Sequence, residues 1–432
     1  MIDGVVVAGD LMRPDGAGRP GGTDRATRWL WNAVKRSVYL ATGLATEPLT
    51  TTTTPALQEW IESLRAPADA DAYWASIYTG LPWSAALEQL LLDRMRRRFC
   101  IGYEMPPWLV RLLDEHAVPY IDVRLHPIRF MDDLMFAVRG SYPDTQAALL
   151  AMAVMESEVI ATAGLRDAMC QFISDARVPE NTLLVAGQRR FDSTQIVDGG
   201  FYDAGPQAEE IHAICARYAG VVLKPHPLDR HHSLLVVAAG APGRMLGVID
   251  DNIYRLMALP QISAVLTINS GVAHEAPYFG KRVHALARLP IRPAWRGAAA
   301  DADSHASLDD AVLTPDFWRA VLAPHTKVTA VDGMQLRPKP NRLRIALDSF
   351  WNFHQIDTDR IPRSVPGEDE IFDLSARSQQ NIRYGTKPEI AQDGGYHFRH
   401  APIWRLRPGT GALVPWLQSA ERRDRGRAWP LR

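Results

Sequence analysis

Two short stretches carry the residue types that hold an anion. Lys224-Pro225-His226-Pro227 follows directly on the apolar run Val221-Val222-Leu223, and Asn269-Ser270-Gly271 follows on Ile262 to Ile268. Each proline fixes its own φ and restricts the residue before it, which sets Lys224 and His226 on a stiff extended turn. The Asn-Ser-Gly turn opens a helix expected over Val272 to Phe279, whose first N–H groups have no partner within the helix and point back at the turn. An ammonium, an imidazole, a hydroxyl and free amides are the donors a phosphate needs, so Lys224, His226, Ser270 and the helix amides can converge on one. Glu275, one turn further on, is placed to accept a hydrogen bond from a sugar hydroxyl. Two more carboxylates close apolar runs: Asp192, in LLVAGQRRFDST, and Glu104, in IGYEMPP. Each suits a nucleophile or a general base, and each equally suits a residue that caps a turn.

The elements that must position these residues alternate. Gly4 to Gly9, Ile101 to Tyr103, Pro119 to Val123, Thr182 to Ala186, Val221 to Leu223, Val248 to Asp250, Ile262 to Ile268 and Val283 to Leu286 read as strands. Amphipathic stretches between them read as helices, including a long buried one from Tyr142 to about Ala176 and another at Leu57 to Leu64. Such βα repetition predicts doubly wound parallel sheets, where ligands bind at the carboxyl ends of strands. The chain's 432 residues exceed what one core serves. We expect two Rossmann-like domains facing each other across a cleft: residues 1–178 and 179–341. A helix over 342–358 returns to the first domain, and 359–432 is an extension without an assigned role. The glycines of GAGRPGG miss the dinucleotide-binding spacing, and the threonine run at 50–54 reads as a surface loop.

Composition excludes several classes. A formal net charge of −1 gives no basic footprint for nucleic acid. Three widely spaced cysteines, without a CxxC pair, argue against a disulfide framework or structural zinc and suit a reducing compartment. No uncharged apolar run reaches the length of a membrane span, so a cytoplasmic protein is expected, able to rest on the inner membrane as a peripheral protein.

LLVAGQRRFDST, VVLKPHP and INSGVAHEAPYFGKRV, in that order, resemble the bacterial β-Kdo glycosyltransferases of capsule and O-antigen synthesis, with weaker likeness at IGYEMP and HPIRFMDD. The resemblance implies a GT-B fold and CMP-Kdo as donor. It also implies retention of anomeric configuration, no metal, and a saccharide or lipid-linked saccharide acceptor. It maps the family's strand-end aspartate onto Asp192, its HP histidine onto His226 and its nucleotide-helix pair onto Ser270 and Glu275. Together with the reading of the residues, the expected donor-binding set is Gln188, Arg189, Arg190, Lys224, His226, Asn269, Ser270, Gly271 and Glu275, with Asp192, Glu104 and His226 expected to be catalytic. Arg189, Arg190 and Phe191 stand where the capsule branch tends to be acidic, which leans the acceptor toward the O-antigen type. A donor with a phosphate leaving group and a carboxylate requires such cationic and N–H groups. Double displacement through Asp192, with Glu104 deprotonating the acceptor, accounts for retention. The alternatives are an inverting, sialyltransferase-like enzyme with Asp192 as base, and a non-catalytic sugar-nucleotide or polysaccharide binding module.

Overall fold

The computed structural model describes residues 1–15, 18–54, 69–80, 85–171, 178–226, 232–242, 244–249, 251–299, 301–329 and 341–351, isolated positions 56, 57, 59 and 336, and two short strands at 387–390 and 396–399. The chain divides into two compact units. One comprises Met1–Val159, Ser193–Phe201 and Pro290–Ile356; the other comprises Ile160–Asp192, Tyr202–Leu289 and Asp357–Arg432. Each has its own twisted α/β sheet, and the fold is the two-domain Rossmann-like α/β class.

The strands, in chain order, are β1 (Gly4–Gly9), β2 (Thr46–Pro48), β3 (Arg98–Tyr103), β4 (Tyr120–Leu125), β5 (Phe136–Gly140), β6 (Thr182–Ala186), the hairpin β7 (Ile196–Val197) and β8 (Gly200–Phe201), β9 (Gly220–Lys224), β10 (Met245–Val248), β11 (Ile262–Thr267), β12 (Arg282–Ala285), β13 (Pro293–Ala294) and β14 (His305–Leu308). The helices are α1 (Asp24–Thr42), α2 (Ala70–Tyr78), α3 (Ala85–Met95), α4 (Pro107–Glu115), α5 (Pro143–Ala151), α6 (Glu156–Gln171), α7 (Ala208–Cys215), α8 (Ser233–Ala239), α9 (Ile253–Ala258), α10 (Val272–Glu275), α11 (Pro315–Leu322) and α12 (Arg342–Trp351).

The first unit's sheet runs β13-β14-β5-β4-β3-β1-β2. Its central strand β1 is apolar throughout because both faces are covered. Val5 and Val7 of β1 point into a core with Leu30 and Val34 of α1, Trp318 of α11 and Leu343 of α12. Val6 and Ala8 point the other way, against Trp74 of α2, Leu91 of α3 and Trp108 of α4. One expectation changes here: β5 runs antiparallel to β4 and to β14, so this sheet is mixed. The link from Leu125 to Phe136 contains no crossover helix, and a chain that returns without one pairs antiparallel.

The expected boundaries change too. Residues from Pro290 onward were assigned to the second domain, but β14 pairs with β5 and α11 packs in the first core, so they belong to the first unit. The long buried helix from Tyr142 is instead two helices, α5 and α6. Their break is fixed by Val154, whose N–H donates to Ser307 O and whose carbonyl accepts from Arg296 N. Much of α6 is exposed, Leu165 to 67%. Most of the helix read at Leu57 to Leu64 and most of the 359–432 extension lie outside the described residues. No single helix among the described residues is long and apolar enough to cross a membrane.

HPIRFMDD is a docking platform for α12. The Asp133 carboxylate accepts from the N–H groups of Leu343 and Arg344, both at 2.9 Å, which supplies the cap that the start of this helix requires. The Arg344 guanidinium donates to the carbonyls of Arg129 and Met131. His126 is fully buried, with Nδ1 accepting from Ile128 N–H and Nε2 facing the Ser307 hydroxyl at 3.0 Å. Asp133→Ala is expected to cost about 1–2 kcal/mol in urea unfolding, with protease nicking near α12 appearing first.

Candidate functional site

The second unit's sheet, β10-β9-β6-β11-β12, is parallel throughout. In chain order this is the 3-2-1-4-5 winding, whose connections reverse direction between β6 and β11. Connections leave these two strands toward opposite faces, and the crevice they open beyond the carboxyl ends is where doubly wound sheets take ligands. Gln188 lies two residues past β6 and Asn269 two past β11, and the two amides clasp across that point. Gln188 Nε2 donates to Asn269 Oδ1 at 2.9 Å, and Gln188 Oε1 accepts from Asn269 N–H at 2.9 Å and from the Thr267 hydroxyl at 3.3 Å. Both side chains are buried.

The turn after β9 lies against the same place. Gly187 N–H donates to Lys224 O at 2.8 Å, and a Cβ on Gly187 would stand 3.2 Å from His226 N and 3.1 Å from a Leu235 methyl. Glycine therefore lets the β6 and β9 turns touch. Lys224 is buried to 9% exposure and His226 is half-buried, whereas Arg189 and Arg190 are exposed, with the Arg190 guanidinium 5.1 Å from the Phe191 ring. Pro227, the second proline of the turn, lies outside the described residues.

Beyond Asn269, half-buried Ser270 and Gly271 start α10, which tightens into a 3-10 turn over Ala276–Phe279. Pro277 lacks the N–H that a continuing α-helix would use, so the eight-residue α-helix expected there splits. Glu275 is 4% exposed and accepts the Tyr254 hydroxyl at 2.8 Å, a partner that sequence reading missed because it stands 21 positions upstream. His274 stays neutral at pH 7, since burial lowers its pKa to about 4. Asp192 is half-buried and ends the second unit's segment, directly before the 3-10 turn Ser193–Gln195.

Glu104 belongs to the first unit, whose winding β2-β1-β3-β4 places its own switch point between β1 and β3. Glu104 ends β3 and holds a left-handed φ of 48°, strained for a residue with a side chain. Its backbone is clamped: Glu104 N–H donates to Val123 O, Met105 N–H to the Asp122 carboxylate at 3.0 Å, and the Arg124 guanidinium to Met105 O at 2.7 Å. Arg124 also meets Asp122 at 2.7 Å. The Glu104 carboxylate pairs with Arg13 at 3.2 Å, and Arg13 lies 5.2 Å from the centre of the Trp74 ring. Trp74 Nε1–H in turn donates to Asp10, at the carboxyl end of β1, at 2.7 Å. Asp10 went unremarked in the sequence because nothing local marks it; its signal is a Trp 64 positions away. Burial pushes Asp10 up to about 6, against the pull of the Trp74 and Met12 N–H bonds and the Arg13 charge. Among the described residues no group of three or more His, Cys, Asp or Glu is placed to hold a metal ion.

No family model matches this chain. No curated protein does either. Among solved structures it is similar to KpsC, a β-Kdo 2,7 transferase of Thermosulfurimonas dismutans, at 16% identity over 46% of this chain and 68% of that one, with a TM-score of 0.27. It is also similar to the ADP-heptose LPS heptosyltransferase II of E. coli, at 13% identity over 74% of this chain and 98% of that one, TM-score 0.21. A third likeness is to the UDP-GlcNAc 2-epimerase of Neisseria meningitidis, at 10% identity over 86% and 97%, TM-score 0.21. TM-scores this low leave the fold and the site to be read from the chain's own topology.

Two outcomes test this geometry. Gln188→Ala leaves Asn269 N–H and its side-chain carbonyl without their buried partner, so unfolding should become easier by about 2–4 kcal/mol, read by denaturant titration. For Asp10 the folded pKa lies above the unfolded 3.8, so the native state holds the proton more tightly and stability falls as pH rises from about 4 to about 6. The stability difference between wild type and Asp10→Asn should therefore move by about 3 kcal/mol in the variant's favour between pH 4 and pH 7.

Proposed function

We propose that this chain is a glycosyltransferase that takes Kdo from CMP-Kdo and passes it, with retention, to a saccharide acceptor in lipopolysaccharide or capsule synthesis. The observation that carries the reading is the Gln188–Asn269 clasp at the β6/β11 switch point, with the Lys224–His226 turn seated against Gly187 beside it. That arrangement gathers, at one crevice of one sheet, the donor groups that a nucleotide phosphate and an ulosonate carboxylate require. In this reading Lys224, His226, the Ser270-Gly271 turn and the exposed Arg189 and Arg190 bind the donor, while Glu275, held by Tyr254, meets a sugar hydroxyl. Asp192 attacks the anomeric carbon as CMP leaves, forming a glycosyl–enzyme ester and inverting the centre once. Attack by the acceptor hydroxyl, its proton going to Glu104, inverts it again and frees Asp192. The left-handed backbone at Glu104, clamped by Asp122 and Arg124, is the strain expected of a residue held for a task.

Three measurements follow. Donor without acceptor should leave an adduct of one Kdo on the peptide containing Asp192, seen by intact-protein and peptide mass spectrometry. Asp192→Asn should remove the adduct and keep CMP binding, while an inverted product or substantial turnover by Asp192→Ala would sink the mechanism. His226→Ala should weaken donor or transition-state binding by about 1.5–3 kcal/mol, and unchanged kinetics with CMP-Kdo would remove it from the site. Glu104→Gln should lower transfer far more than CMP binding; loss of CMP binding at unchanged transfer per bound donor would make Glu104 a structural residue.

A further inference from the structure

We propose that the carboxyl end of α1, with the segment Lys327–Thr329 laid beside it, docks on an anionic lipid surface. Helix α1 already spends an apolar stripe on the core: Leu30, Val34, Val38 and Ala41 are all buried. Tyr39 and Leu40 nevertheless point outward, 61% and 45% exposed. A distant segment adds to them, since Thr329 N–H donates to Ala41 O at 2.8 Å and the Thr329 hydroxyl donates to Leu40 O, which places Val328, 40% exposed, at the same end of the helix. Beside these lies a groove of about 420 Å³ lined by Lys35, Arg36, Tyr39, Leu40 and Leu44. No core requirement accounts for three large apolar side chains gathered in water at one helix end.

The charge around them selects the partner. From Arg25 to Thr46 the chain carries four cations and no Asp or Glu. Arg25, Arg28 and Arg36 are exposed, as is Lys327 on the added segment. Glu47, the first acid beyond, is already shared by Arg94 and Arg98. An aromatic and aliphatic tip with exposed Arg36 three residues before Tyr39 and exposed Lys327 beside Val328 matches an interface of acyl chains beneath anionic headgroups, the apolar tip entering while the cationic stems reach the phosphates.

The reading goes beyond transferase activity and is tested without donor or acceptor, so either can fail without the other. The full chain is sedimented with phosphatidylcholine vesicles, with and without phosphatidylglycerol. Binding is expected only with phosphatidylglycerol and is expected to fall with salt. Each cation near such a surface is worth roughly a fivefold change in partitioning, so Arg36→Gln with Lys327→Gln should lower it about 25-fold. Tyr39→Ser with Leu40→Ser should lower it at least about tenfold at low salt. All four side chains lie outside the core, so melting temperatures should match wild type. Equal binding to both vesicle types, or partitioning untouched by either pair of substitutions, overturns the proposal. So does a Tyr39/Leu40 variant that keeps vesicle binding and changes only the mass measured by light scattering, which would make the patch a contact between two copies.

Discussion

A parallel strand covered on both faces has nowhere to put a polar side chain except where it ends, and that constraint governs this molecule. Val5 to Ala8, Leu183 to Ala186 and Val221 to Leu223 are buried without interruption. Within three residues beyond these runs stand Asp10, Gln188, Lys224 and His226, all polar, and so are Glu104 and Asn269 after β3 and β11. Because the strands run parallel, these ends fall at one edge of each sheet. Because the winding reverses once in each sheet, connections part at that edge, after β1 and β3 in one unit and after β6 and β11 in the other. Chemistry is confined to those places by the cost of burying polar groups elsewhere.

Position alone does not hold a side chain to a geometry, and the two sites solve that differently. In the second unit two neutral amides hold each other. Gln188 and Asn269 satisfy one another's buried groups without charge. In the first unit charge does the holding. Asp122 and Arg124 take the N–H and carbonyl of Met105 and force the preceding residue into a left-handed turn that costs roughly 1–3 kcal/mol. Asp122 departs from the strand-end rule, 1% exposed within β4, and it is tolerated because Arg124 and an amide satisfy its oxygens.

How much of this the sequence carried depends on how local each cause is. In the second unit β10, expected at Val248 to Asp250, runs Met245–Val248 and carries a single β-branched residue, whereas β6, β9, β11 and β12 were legible as short apolar runs next to turn residues. The Lys224–His226 turn and the Asn269 turn were legible for the same reason. β5, β13 and β14 were not. β14 is only four residues, His305–Leu308, with a histidine and a serine buried through distant partners, so no alternation marks it. The break at Val154 depends on Ser307 and Arg296, more than a hundred positions away. Tyr254 behind Glu275, Asp133 under α12 and Trp74 over Asp10 are likewise tertiary facts. A single sequence displays the residue at a strand end and conceals what holds it there.

The least local of these facts ties two carboxylates to one cation. Arg13 stands over Trp74, pairs with Glu104 at 3.2 Å and lies close enough to Asp10 to lower that residue's pKa. Asp10 still titrates at about 6 because burial outweighs the hydrogen bonds and the Arg13 charge. Above that pH Asp10 carries a charge that acts on Arg13, and below it Asp10 is neutral. The charge on Asp10 therefore draws on the same guanidinium that pairs with Glu104. Asp10 thus bears on Glu104 without contacting it, through a tryptophan and an arginine that serve as its rigid intermediaries.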